Sequence, residues 1–262
     1  MSLPVRLAVV VPAFNEADRI ASTIRSIPGF VDHVIVVDDG SQDGTATNAR
    51  EAIASPDAPS RVEVVVHPRN RGVGAAIATG YARALARGAD VIAVMAGDGQ
   101  MDPDDLPNLL RPVIEGAADY AKGNRLAWPG GWREFPLVRL GGSLALSWLT
   151  RLATGYRGLS DSQCGYTAAS RAALEAVGPG RMYPRYGYPN HLLALLADAG
   201  ARVADIPVRP VYGAGWRSGL HPVRVVLPVS RILVRAFRER LARRGRPAPP
   251  LLEQRGRCGS AC

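Results

Sequence analysis

Apolar residues in the first hundred positions come in short bursts. Residues 7–11, 34–37, 62–66 and 91–95 are Val-rich runs without polar alternation. A strand with one wet face alternates, whereas an unbroken apolar run bounded by turn residues suits a strand buried on both faces of a parallel sheet. Helical segments lie between the runs at 17–26, 45–54 and 75–86, and another follows at 103–113. This βαβα order predicts the α/β class, with an open, mostly parallel sheet and helices on both faces. Such sheets bind ligands beyond the carboxyl ends of their strands.

Each predicted strand ends in a polar cluster. The clusters are Pro12-Ala13-Phe14-Asn15-Glu16, Asp38-Asp39-Gly40-Ser41, His67-Pro68-Arg69-Asn70-Arg71-Gly72 and Ala96-Gly97-Asp98-Gly99-Gln100. One alone reads as a helix cap, as Ser41, Asp43 or Asp102 would be. Four on one edge read as a site. The loop Gly72-Val73-Gly74 lacks a third glycine and follows the third strand, which excludes a dinucleotide fingerprint, and no phosphate-binding GxxxxGK[ST] occurs. His33, His67, His191 and His221 lack a nucleophile elbow. Asp98 and Gln100 offer two hard oxygens on one loop, which suits Mg²⁺ or Mn²⁺ completed by a diphosphate. Asp38 and Asp39 can accept hydrogen bonds from a nucleobase or ribose.

The second half is less regular. Residues 136–154 form a predicted helix with two stripes: Leu137, Leu140, Leu144, Trp148 and Leu152 on one, Arg139, Ser143 and Ser147 on the other. The apolar stripe is expected to pack into the core, with the bilayer as its alternative. Further on lie Asp161-Ser162-Gln163-Cys164-Gly165-Tyr166, a helix near 189–199 and a strand at 203–208. After Tyr212 the chain turns to Arg, Pro and Val, which divides it into a domain at 1–213 and a tail at 214–262.

Charge sharpens that division. Residues 1–213 hold 21 basic and 21 acidic side chains, and residues 214–262 hold 11 Arg and 2 Glu, so the net +9 belongs to the tail. Within it, Leu233, Phe237 and Leu241 share one helical face and Arg231, Arg235 and Arg238 another. A basic amphipathic helix points to an anionic membrane surface, to nucleic acid, or to a merely solvated extension. The tail lacks interleaved aromatics, which argues against nucleic acid. Three cysteines make neither a disulfide framework nor a zinc site, and a reducing cytosol is expected. No secretory signal and no membrane-spanning run are read.

The strand-end motifs, with Asn70-Arg71-Gly72-Val73-Gly74-Ala75, Lys122-Gly123-Asn124-Arg125, the Arg139–Ser143 spacing and the 161–166 segment, resemble the inverting family 2 glycosyltransferases of the GT-A fold. Within these the chain is similar to polyprenyl-phosphate (dolichyl-phosphate) mannose or glucose synthases, over about residues 5–215. The resemblance implies a hexose moved from GDP- or UDP-sugar to polyprenyl phosphate. It places Pro12, Phe14, Glu16 and Asp39 on the nucleotide, with Asp38 beside them. It places the metal, Mg²⁺ or Mn²⁺, on Asp98 and Gln100. Arg125, Arg139 and Ser143 go to the phosphates, with Arg217 as a weak match. Asp98, Arg125 and Asp161 form the catalytic group. The family's metal motif usually reads Asp-x-Asp-x-Gln, and here its first Asp is Ala96.

A lipid phosphate is already anionic and needs no strong base; an alcohol acceptor needs one, and Asp161 is the candidate. The expected setting is cytoplasmic, peripheral on the inner face of the membrane. The alternatives are a soluble family 2 enzyme acting on a small molecule, glycan or protein, and, remotely, a nucleic-acid-binding protein.

Overall fold

The structure is a computed structural model, and it describes residues 5–54, 62–135, 137–211 and 222–242. Four Val-rich runs become parallel strands: β1 (Leu7–Ala13), β2 (His33–Asp38), β3 (Val62–Val66) and β4 (Val91–Val94). The helices between them are α1 (Ile20–Ser26), α2 (Thr45–Ala54) and α3 (Val73–Ala86), and α4 (Leu106–Ile114) follows β4. The predicted first helix starts three residues late because side chains hold its expected first turn open. Thr45 Oγ1 accepts from Glu16 N at 2.8 Å, and Asp43 Oδ2 accepts from Ala17 N at 3.1 Å. Asp102 caps the 3-10 turn Pro103–Asp105 before α4, its carboxylate accepting from Asp104 N.

The sequence pattern shows no strand in two places where the sheet continues. These are β5 (Tyr120–Asn124) and β6 (Thr167–Ser170), separated by α5 (Leu137–Thr154). Beyond them come α6 (Arg171–Val177), α7 (Tyr188–Asp198) and β7 (Val203–Pro207). The sheet order is β3-β2-β1-β4-β6-β5-β7, with β6 antiparallel to both neighbours and every other pairing parallel. One core layer packs α3, α6 and α7 on one face of the sheet; a second packs α1, α2 and α4 on the other.

The apolar stripe on α5 is not core, contrary to expectation. Leu144, Trp148 and Leu152 are 49%, 54% and 42% exposed. The inward face is taken instead by the other stripe: Ser147 is buried and accepts from Ser162 N at 2.9 Å, and Thr150 accepts from Asn190 Nδ2 at 2.7 Å. Periodicity identifies a face but not its partner.

The proposed boundary near 213 lies outside the described residues. The tail's helix α8 (Pro222–Ala242) packs on α5 and α7, where Val229, Leu233 and Ala236 form a small core with Ala153 and Ala194. The three apolar residues assigned to one face therefore separate. Leu233 is buried, while Phe237 and Leu241 are exposed, as are Arg231, Arg235 and Arg238. Arg235 pairs with Glu239 at 2.8 Å.

Candidate active site

All four strand ends meet at one cavity of about 410 Å³. Pro12, Phe14 and Glu16 reach it from β1, Asp39 from β2, Asn70 and Gly72 from the loop after β3, and Ala96 and Asp98 from β4. The turn after β1 is held open by Asn15, whose φ of 56° lies in the left-handed region. Its side-chain oxygen accepts from Gln42 N at 3.1 Å, and its own N donates to Ser41 Oγ at 2.9 Å.

The paired aspartates after β2 have different jobs. Asp39 lines the cavity and organises its floor: it accepts from Arg71 N at 2.9 Å and Gly72 N at 2.6 Å, and lies 2.7 Å from His67 Nδ1. Asp38 is buried and turned to Ser41, accepting from its hydroxyl and amide. It does not line the cavity, and its Oδ2 has no hydrogen-bond partner among the described residues.

Close approach explains the glycines at the start of α3. A Cβ on Gly74 would stand 2.1 Å from Tyr183 O, and one on Gly72 2.4 Å from Pro184 O. With no side chains there, the 183–187 segment lies directly on the helix, and Ala75 N donates to Pro184 O at 3.0 Å. Arg185 and Tyr186 thereby become a wall of the cavity. Sequence reading missed both, since the Tyr183-Pro184-Arg185-Tyr186-Gly187 stretch has no periodicity; its one signal is Arg and Tyr set between Pro and Gly.

A second cavity, of about 430 Å³, adjoins the first and shares Pro12, Val73, Ala96, Asp98 and Tyr186 with it. Its other walls include Gln100, Met101, Arg125, Ser143, Leu146 and Tyr188. Asp98 thus faces both spaces. Burial pushes its carboxyl above the usual range, opposed by the Gln100 amide at 3.1 Å and by Arg19 at longer range. Burial likewise raises Glu16, and the charge of Asp98 adds to it. Two raised carboxyls at one mouth invite a cation. Asp98 and Gln100 fit a divalent metal that takes its remaining oxygens from a diphosphate. Among the described residues no cluster of three acidic, His or Cys ligands exists, consistent with Ala96 standing where the family usually has Asp.

Arg125 emerges from β5, the strand that carries Lys122 inward. Lys122, the chain's one lysine, is fully buried and donates to the Cys164 carbonyl. Burial lowers its pKa, against the fields of Cys164 and Asp161. Arg125 grips Asp161 with two bonds, Nε to Oδ2 at 2.8 Å and Nη2 to Oδ1 at 3.1 Å, and its guanidinium lies 5.2 Å from the Phe135 ring centre. Burial would raise the Asp161 carboxyl, but Arg125 and then Lys122 hold it below the usual range. A carboxylate that is 0% exposed and committed to an arginine is no general base, so that expected role for Asp161 is withdrawn. Asp161 positions Arg125 instead. Ser143 lines the second cavity. The side chain of Arg139, and all of Arg217, lie outside the described residues.

The chain has relatives. A UDP-N-acetylglucosamine–dolichyl-phosphate N-acetylglucosaminyltransferase from Methanococcus voltae is 29% identical over 214 residues, 78% of this chain and 85% of the relative. A polyprenol monophosphomannose synthase from Mycolicibacterium smegmatis is 32% identical over 207 residues, 78% of this chain and 76% of the relative. An undecaprenyl-phosphate mannosyltransferase from Micrococcus luteus is 31% identical over 206 residues, 78% and 82% of the two chains. The crystal structure of glucosyl-3-phosphoglycerate synthase from Mycobacterium tuberculosis with Mn²⁺, UDP and glucosyl-3-phosphoglycerate superimposes with a TM-score of 0.63 at 24% identity, covering 90% of this chain and 79% of that one. At that identity the likeness is one of fold, and the fold is GT-A. The model of the glycosyl transferase family 2 matches residues 8–178, a span that takes in all four strand-end clusters, Arg125 and Asp161, and the chain belongs to that family.

Proposed function

We propose that this glycosyltransferase moves a hexose, mannose or glucose, from a GDP- or UDP-sugar to polyprenyl phosphate at a membrane surface. The observation that carries this reading is the second cavity: it holds Arg125 and Ser143 but, among the described residues, no carboxylate free to act as a base. Asp98 is committed to the metal in this reading, and Asp161 to Arg125. An acceptor that arrives ionised fits such a site; an alcohol does not.

The nucleotide occupies the first cavity against Pro12, Phe14, Glu16 and Asp39, with Arg185 reaching its phosphates. A divalent cation on Asp98 and Gln100 would offset charge on the departing diphosphate. Arg125, aimed by Asp161, and Ser143 hold the acceptor phosphate. An oxygen of that phosphate attacks the anomeric carbon from the face opposite the diphosphate, the carbon–oxygen bond to the diphosphate breaks, and configuration inverts. Relatives named for dolichyl, polyprenol and undecaprenyl phosphates support the lipid acceptor. They divide between N-acetylglucosamine and mannose, so the sugar is the part to test first. The exposed Arg231, Arg235 and Arg238 suit an anionic leaflet; among the described residues no helix is long and apolar enough to cross a membrane.

The test offers GDP-mannose, UDP-glucose and UDP-N-acetylglucosamine, each with Mn²⁺ and either polyprenyl phosphate or polyprenol. Product from a hexose donor on the phosphate alone is expected. Product on polyprenol, or from UDP-N-acetylglucosamine only, refutes the acceptor or the sugar respectively.

A further inference from the structure

Away from the sheet edge, α5 and α8 present a surface of another kind. α5 exposes Leu144, Trp148, Leu149 and Leu152, and α8 beside it exposes Phe237 and Leu241. Exposed large apolar side chains on adjoining helices mark a surface that meets another phase or molecule. Set into this face is a third cavity, of about 400 Å³, walled by Trp148, Arg151, Leu152, Gly155, Arg157 and Arg240. Half of its lining residues are arginines, and no carboxylate lines it. Among the described residues none of the three arginines makes an ion pair. Arg240 is fixed in the wall: its Nη1 donates to Leu152 O at 2.6 Å, and a Cβ on Gly155 would meet its guanidinium at 3.1 Å.

We propose that this cavity seats the phosphate of an anionic phospholipid headgroup, with the apolar residues around it at the bilayer interface. Guanidinium groups match phosphate oxygens with paired donors. Trp and Leu beside them suit the boundary between headgroups and acyl chains. A free phosphate ester would share the headgroup chemistry, but not the apolar rim, which is what favours a lipid. The seat is distinct from the reaction cavity, yet one helix links them: Ser143 lines the reaction cavity, Arg151 the seat, and eight residues of α-helix separate them by about 12 Å along the axis. A chain held by the far end of α5 would bring the reaction cavity close to the level of lipid phosphates.

The experiment sediments the full chain, without sugar nucleotide, with phosphatidylcholine vesicles that do or do not contain phosphatidylglycerol. The double variant Arg151→Gln/Arg157→Gln should bind the anionic vesicles about 30-fold more weakly, from the interaction of two arginines with an anionic surface. Arg25→Gln/Arg50→Gln removes the same charge from exposed positions on α1 and α2, on the other side of the sheet, and should change binding less than about twofold. Lipids brominated in their acyl chains should quench fluorescence of the parent, and Trp148→Phe should remove most of that quenching. Equal loss in both double variants reduces the effect to diffuse charge and overturns the seat, as does unchanged binding of the first. Displacement of the vesicles by an equal concentration of glycerol 3-phosphate would assign the cavity to soluble phosphate esters and overturn the lipid. Because binding is read without transfer, failure of the chain to glycosylate polyprenyl phosphate would refute the proposed function and leave this seat standing.

Discussion

Arg125→Ala should destabilise the fold as well as the reaction, and by an amount that depends on pH. The side chain of Arg125 is 16% exposed and that of its partner Asp161 1%. Removing one member of a buried ion pair costs about 3–5 kcal/mol, because the survivor keeps its charge without its partner. Lys122 also favours ionised Asp161 and remains in place, so the low end applies, about 3 kcal/mol. For a chain of this size that lowers the melting temperature by about 6–12 °C. The sign of the pH effect follows from the carboxyl. In the parent its pKa is depressed, so its contribution is present above the ordinary carboxylate range and lost as pH falls through its depressed value. In the variant burial without Arg125 pushes Asp161 up, and it takes a proton while the parent's is still ionised. The gap in melting temperature should therefore be widest near pH 7 and shrink toward about pH 5. Arg125→Ala/Asp161→Asn, which removes the stranded carboxylate and leaves Lys122 as the buried cation, should recover part of the loss. Thermal unfolding followed by circular dichroism at several pH values measures all three proteins. A melting temperature within about 2 °C of the parent at pH 7, with no pH trend, would refute the buried pair and leave Arg125 as a pure ligand-binding side chain.

Chelation by EDTA should abolish transfer, and Asp98→Asn should lower kcat by about 10²-fold or more; full activity in EDTA sinks the metal assignment. Arg185→Ala should raise KM for the sugar nucleotide about tenfold or more, the scale of a lost charged hydrogen bond, while leaving the acceptor KM unchanged; an altered acceptor KM alone would move Arg185 to the other cavity. Gly141 lies exposed inside α5 with nothing within 4 Å of an added Cβ, so Gly141→Ala should raise the melting temperature by a few degrees, worth about 1 kcal/mol. Gly74→Ala should lower it and weaken nucleotide binding in isothermal calorimetry, since the Tyr183 carbonyl must retreat; normal binding there would show that the 183–187 wall is dispensable.

The strands of the first half were legible because burial on both faces leaves no reason for polar alternation, and Val runs say so directly. β5 and β6 were not. Tyr120–Asn124 carries a lysine and an asparagine whose polar atoms find buried partners, and Thr167–Ser170 is made of small residues with no periodicity to read. The site shows the same split. Composition at the strand ends located the cavity, yet adjacent aspartates differ in orientation, which no sequence pattern distinguishes. The motif around Asp161 stands out in the sequence, but its burial against Arg125, a contact between the end of β5 and a loop 36 positions away, decides its chemistry. The α5 stripe was the harder case: its period was right, and the choice between core and surface depended on which neighbours the chain's return through 161–163 supplied.

The burial of Lys122 leaves the outside of this protein without a single lysine side chain. Every positive side chain it shows to its surroundings that stays charged at neutral pH is a guanidinium. Such a surface does not lose its charge under alkaline conditions, because guanidinium holds its proton past about pH 12. Reagents and modifying enzymes that act on side-chain amines would find nothing to react with on the folded chain, and acetylation of a surface lysine cannot alter its charge.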